Sequence, residues 1–169
     1  MTGGRGFTLL ELVMVVCIVA LLGLAAIDRL LYLREQAEKA MVEQNLQMLK
    51  AAVRLQVAGL FAANRTAEIA ALDGANPARW LEEPLPGYRG EFESETQPNC
   101  RACWYFDRGR REVVYVLDRG EHFQPDAAGE KRIRARVEVE RPQEMPGEAV
   151  VTSVPSARLR VAPYRWFGG

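Results

Sequence analysis

The chain has 169 residues, of which 49% are hydrophobic and 26% charged. Its 22 basic and 22 acidic side chains leave zero formal net charge, which argues against nucleic acid or an anionic lipid surface as the main partner. With the first 27 residues set aside, about 140 remain, enough for one modest domain and a helical stem.

Residues 7–27 form an apolar run with a single charge, Glu11; Arg5 precedes the run and Asp28-Arg29 closes it. A helix of this length, rising roughly 1.5 Å per residue, spans the hydrocarbon core of a bilayer. A carboxylate inside such a run costs about 2.5–3.5 kcal/mol at the centre and less near an end, so Glu11 marks a functional position that requires a partner. A secretory signal peptide is a rival reading, with Gly23-Leu24-Ala25 as its cleavage site, but an early glutamate and the length of the run suit it badly. A plain membrane anchor is the other rival. Arg29, Arg34 and Lys39 follow the run, and by charge count alone they favour retention of the carboxyl-terminal part inside.

The segment Gly6-Phe7-Thr8-Leu9-Leu10-Glu11, behind a short leader containing Arg5, resembles the amino terminus of type IV pilins and type II secretion pseudopilins. The resemblance rests on a glycine, a phenylalanine, a glutamate four residues on and an unbroken apolar helix, and it covers the first third of the chain. It implies cleavage between Gly6 and Phe7 by a prepilin peptidase, methylation of the new Phe7 amine, and pairing of Glu11 with the amino terminus of a neighbouring subunit. The physics of that last role is coherent. A buried carboxylate is compensated by a buried ammonium, and a subunit added out of register leaves both unpaired. On this reading residues 1–6 are a leader and 7–27 a transmembrane or filament-core helix.

Residues 28–63 read as an amphipathic continuation of the same helix. Apolar residues recur at Leu30, Leu33, Ala37, Met41, Leu46, Leu49, Val53, Val57 and Leu60, with charges between them. The helix is placed over residues 7–63, about 85 Å at the standard rise, with Gly59 and Asn64 as weakening and ending points. Asp28 stands where many major pilins carry a proline, which leans the resemblance toward a minor subunit.

Residues 64–90 are a connecting region. Thr66 is placed as the cap of a short helix through Leu72, and Asn76-Pro77 as the start of another through Glu83. Trp80, Leu81 and Tyr88 are expected against a sheet. Residues 91–169 carry the strands. Residues 103–107 and 112–117 form a hairpin around Arg108-Gly109-Arg110-Arg111. Residues 133–140 alternate, with Ile133, Ala135, Val137 and Val139 on one face. Residues 150–154 and 158–161 add edge strands, and 90–93 can pair at the start. The expected fold is α+β, a long helix packed on a small antiparallel sheet of three to five strands.

Catalytic signals are absent. His122 is the one histidine and has no nucleophile near it in sequence. Cys17 reads as a small hydrophobe in the apolar run. Cys100 and Cys103 form a Cys-x-x-Cys pair that with His122 supplies three zinc ligands, one short of a structural site. A local disulfide that braces the Trp104 strand is the better reading in a periplasmic domain. Asp118, Glu121, Asp126 and Glu130 are weak calcium candidates without EF-hand spacing, and no other cofactor is expected. Arg108, Arg110, Arg111, Arg132, Arg134 and Arg136 form a possible basic patch, but Glu112, Glu138 and Glu140 are interleaved and a solvated face is the simpler account.

The resemblance thus implies a non-enzymatic structural subunit: a minor pilin or pseudopilin of a type IV pilus (a fimbrium) or a type II secretion pseudopilus serving protein secretion. Its partners are other such subunits, the prepilin peptidase, and an inner-membrane assembly platform with its ATPase. The chain is expected to cross the inner membrane once with its soluble domain in the periplasm, and then to enter the filament. Two alternatives stay open: a tip pilin whose arginines bind DNA or another ligand, and a membrane-anchored periplasmic protein that never assembles.

Overall fold

A computed structural model describes residues 8–94, 96, 98–126, 129–140 and 155–167. The fold is α+β, with one long helix and a five-stranded mixed sheet. The chain divides into two compact units, Met1–Glu38 and Lys39–Gly169, to both of which helix α1 (Leu9–Ala62) contributes.

In the first unit the described residues are helical from Leu9 onward, and the apolar side chains from Leu9 to Ile27 lie exposed. This part of α1 is long and apolar enough to cross a membrane. The stripe expected to begin at Leu30 begins later. Leu30 and Leu33 are 49% and 45% exposed and Ala37 is exposed, whereas burial on the expected face starts at Met41 and Val42. Helical spacing fixes which residues share a face, not how far along the helix a covering surface extends.

In the second unit, α1 buries Val42, Leu46, Leu49, Val53 and Leu60 in one core with the sheet. The helix ends in a Schellman arrangement: Arg65 N–H donates to the Leu60 carbonyl at 2.8 Å and Asn64 N–H to that of Phe61 at 3.0 Å. Asn64 takes the left-handed position with φ 57°, which asparagine tolerates better than most residues. Two 3-10 helices follow, Thr66–Leu72 and Pro77–Trp80. Thr66 is not a cap; Arg65 holds that position and makes no side-chain cap bond. The second helix is capped by Asn76, whose side chain accepts from Ala78 N–H at 3.0 Å. It stops at Trp80 rather than Glu83. Leu81 is extended, and Pro84 disfavours helical backbone at Glu83.

The strands are β1 (Tyr88–Phe92), β2 (Cys103–Asp107), β3 (Glu112–Val116), β4 (Arg132–Glu140) and β5 (Ser156–Val161), in sheet order β1-β2-β3-β4-β5. Pairings from β2 to β5 are antiparallel. The expectation of a wholly antiparallel sheet fails at β1, which runs parallel to β2. A tight turn enforces antiparallel pairing, but residues 93–102 form a connection long enough to return the chain to the same end of the sheet. The expected strand at residues 150–154 lies outside the described residues. Register places Trp104 opposite Tyr115 and Tyr115 opposite Ile133, and Phe106 opposite Val113 and Val113 opposite Ala135, so each row sends its side chains to the core. On β4 the expected alternation holds: Ile133, Ala135 and Val137 are buried between half-buried Arg134, Arg136 and Glu138.

The β2–β3 turn is shaped by Asp107. Its carboxylate is buried and accepts from Ser94 Oγ at 2.5 Å and Arg110 N–H at 3.0 Å. Gly109 sits so close that an added Cβ would lie 2.4 Å from Ser94 Oγ, so no larger residue fits without moving that hydroxyl.

Candidate assembly helix and surface clusters

Thr8 and Glu11 define the start of α1. Glu11 N–H donates to Thr8 Oγ1 at 3.2 Å, and Leu12 N–H donates to the Thr8 carbonyl at 3.1 Å. Thr8 is therefore the N-cap, and Glu11 occupies the third helical position, the Thr-x-x-Glu spacing of a capping box. A carboxylate in the first turn also faces the positive end of the helix dipole. This local role was legible in Thr8-Leu9-Leu10-Glu11 and sits beside the pairing role that the resemblance implies. Gly6 and Phe7, the expected cleavage and methylation positions, lie outside the described residues. Cys17 is a free thiol on the exposed surface of α1.

Cys100 and Cys103 are joined by a disulfide, with Cα atoms 6.1 Å apart. Cys103 is buried as the first residue of β2. His122 stacks on Phe167 at 4.9 Å between ring centroids.

Three of the four calcium candidates, Glu121, Asp126 and Glu130, are drawn to arginines. Asp126 and Glu130 converge on Arg134 Nη2, at 3.1 and 2.7 Å. Glu130 also meets Arg132 at 3.4 Å, and Glu121 lies 4.0 Å from Arg119. Among the described residues no three His, Cys, Asp or Glu side chains come together as a metal site would require.

The β3–β4 pairing sets Val113, just after the 108–111 turn, opposite Ala135 on β4. Acidic groups answer arginines of both. Arg136 is paired with Asp73 and Arg108 with Glu91 and Glu93, while Arg111 donates to the backbone carbonyls of Asp73 and Gly74. On β5, Arg160 is paired with Glu138 and Arg158 with Glu140. Arg136 and Arg160 stand opposite each other in register, and their turning to Asp73 and Glu138 relieves the like-charge pair.

No protein-family model, no curated protein and no solved structure matches this chain.

A second cluster has no obvious signature in the sequence. Glu91 on β1 accepts from Asn76 Nδ2 at 2.8 Å, Arg79 Nε at 2.6 Å and Arg108 Nε at 3.0 Å, and Asn76 also donates to the Tyr88 hydroxyl at 2.8 Å. It joins residues 12–17 positions apart, beyond any local pattern. Burial pushes the Glu91 carboxyl up, but the three donors outweigh it and hold it below the ordinary value of 4.5. Asp73 behaves alike: burial raises it, and the Val139 N–H with Arg136 brings it below 3.8. A carboxyl lowered in the folded state stabilises the fold above its ordinary value, and that contribution is lost as pH falls through the lower folded value. Denaturant midpoints of the parent chain are thus expected to fall on acidification below 4.5, and Glu91→Gln to be destabilised at neutral pH with a shallower acid limb. Parallel limbs for parent and variant would remove Glu91 as the group responsible.

Proposed function

We propose that this chain is a structural subunit, a minor pilin or pseudopilin, that assembles through its amino-terminal helix into a pilus or pseudopilus. The observation that carries the reading is helix α1 itself. Its first part presents apolar side chains to the outside with Glu11 in the first turn, and its later part carries the core of a small sheet domain. An exposed apolar surface of that extent calls for a membrane or for the like surfaces of neighbouring helices. A filament subunit uses both in succession: inserted in the inner membrane with its sheet domain in the periplasm, cut after Gly6, then extracted into a helical bundle. In the bundle, Glu11 meets the Phe7 amine of a neighbour. The chain performs no chemistry of its own; it is a substrate of the prepilin peptidase and the cargo of an assembly platform and its ATPase.

The test is the amino-terminal mass of the protein from native membranes, with and without the peptidase. A methylated Phe7 terminus that depends on the peptidase is expected. An intact Met1, or a start at Ala26, would overturn the reading and leave an anchored or secreted periplasmic protein.

A further inference from the structure

The Cys100–Cys103 disulfide closes directly before β2, beside the β1–β2 pairing, where the register shifts. Among the described residues, strand β1 lies at the sheet edge and pairs only with β2. Its register is regular at Tyr88 opposite Trp104, then slips before Glu91, where Gly90 takes φ 104°. The regular end is fixed beside the disulfide loop. Trp104 N–H donates to the Gly87 carbonyl at 3.1 Å, one residue beyond Cys103. Gly87 takes φ 75°, and an added Cβ there would lie 3.0 Å from the Ala102 carbonyl inside the disulfide loop. Ala102 itself is held at φ 49°, a left-handed conformation that alanine disfavours and leaves when nothing enforces it. Ala102 lies within the ring closed by the Cys100–Cys103 disulfide.

We propose that this disulfide is a redox clamp on edge strand β1: oxidation seats the parallel register of Tyr88 against Trp104, and reduction releases it. The chemistry is thiol–disulfide exchange. The thiolate of Cys100, the more accessible of the pair, attacks the disulfide of an oxidoreductase and displaces one of its thiolates. The Cys103 thiolate then attacks the Cys100 sulfur of the mixed disulfide and displaces the second. Two protons leave the chain, two electrons pass to the oxidoreductase, and that protein departs as a dithiol. In reverse, a reductant thiolate attacks Cys100 and Cys103 leaves. Release reaches beyond the strand. Tyr88 and Glu91 bind Asn76, Arg79 and Arg108, so the surface around the Pro77–Trp80 helix is completed only when β1 is seated. The proposal stands independently of the filament reading.

Amide hydrogen exchange on the full chain in detergent micelles, in a Cys17→Ala background, tests it with oxidised glutathione or dithiothreitol as the redox agent. On reduction the Trp104 amide is expected to exchange roughly tenfold faster, since closure of even a short ring restrains the open chain. The β4 and β5 amides of Val137 and Leu159 should change less than about twofold. Cys100→Ser without reductant should reproduce the fast Trp104 rate. A Trp104 rate unchanged by reduction, a Cys100→Ser chain with the oxidised rate, or equal acceleration across the sheet would each overturn the clamp.

Discussion

Trp104→Ala is expected to destabilise the sheet domain by about 3–5 kcal/mol, the range for removal of a large buried aromatic. Trp104 is fully buried on β2, next to β1 and β3 in the sheet. Its ring packs on Tyr115 at 4.8 Å between centroids, and both belong to the core that α1 closes through Leu46, Leu49 and Val53. Domains of this size are stable by only about 5–15 kcal/mol, so this one truncation removes about a fifth or more. Trp104→Phe separates two contributions. The indole Nε1 is buried and finds no acceptor among the described residues. A buried unpaired donor costs about 1–3 kcal/mol, and phenylalanine removes it while keeping most of the ring. The Phe variant is therefore expected within about 1.5 kcal/mol of the parent. Urea unfolding of the two variants, followed by circular dichroism, decides it. A Phe variant as unstable as the Ala variant would mean that the indole N–H has an acceptor and that the polar tip, not the ring, anchors this position.

The parts of this fold that a reader of the sequence can find are those set by local periodicity. Ile133, Ala135 and Val137 alternate with arginine and glutamate, and the alternation alone orients β4 toward the core. Leu46, Leu49, Val53 and Leu60 recur at helical spacing and are buried together. Parallel pairing of β1 was not legible, because a parallel ladder has no turn to announce it and residues 93–102 carry no hydrophobic pattern. The Asn76–Glu91–Arg79 cluster escaped for a related reason: its members meet only after β1 is placed. The arginines of β4 were visible as charges, but Asp73, the partner of Arg136, comes from 63 positions earlier in the chain. Glu11 is the instructive case, since the helix cap and the proposed assembly pairing involve the same residues. The Thr8-x-x-Glu11 spacing is both the end of the pilin-like motif and a helix cap.

Those two roles predict different variants. Glu11→Gln keeps a residue that serves at the third position of a capping box and removes only the charge. If Glu11 acts only on its own helix, the loss is that of one dipole interaction, about 0.3–1 kcal/mol, and assembly continues. If its charge neutralises a buried ammonium in a neighbour, removing it strands that ammonium at a cost of about 3–5 kcal/mol, more than a hundredfold in the assembly constant. The second magnitude exceeds the first severalfold, so the variant is decisive. The Glu11→Gln chain is expected to be cleaved and to reside in the membrane at parent levels, yet to be nearly absent from the sheared filament fraction. Thr8→Ala is the converse. It removes the cap that binds Glu11 N–H, costs about 1 kcal/mol at the helix start, and leaves the carboxylate in place. Its chain should still assemble. Filament yields that rank the two variants the other way, with Gln tolerated and Thr8→Ala defective, would assign Glu11 to helix capping and remove the charge pair from the assembly mechanism.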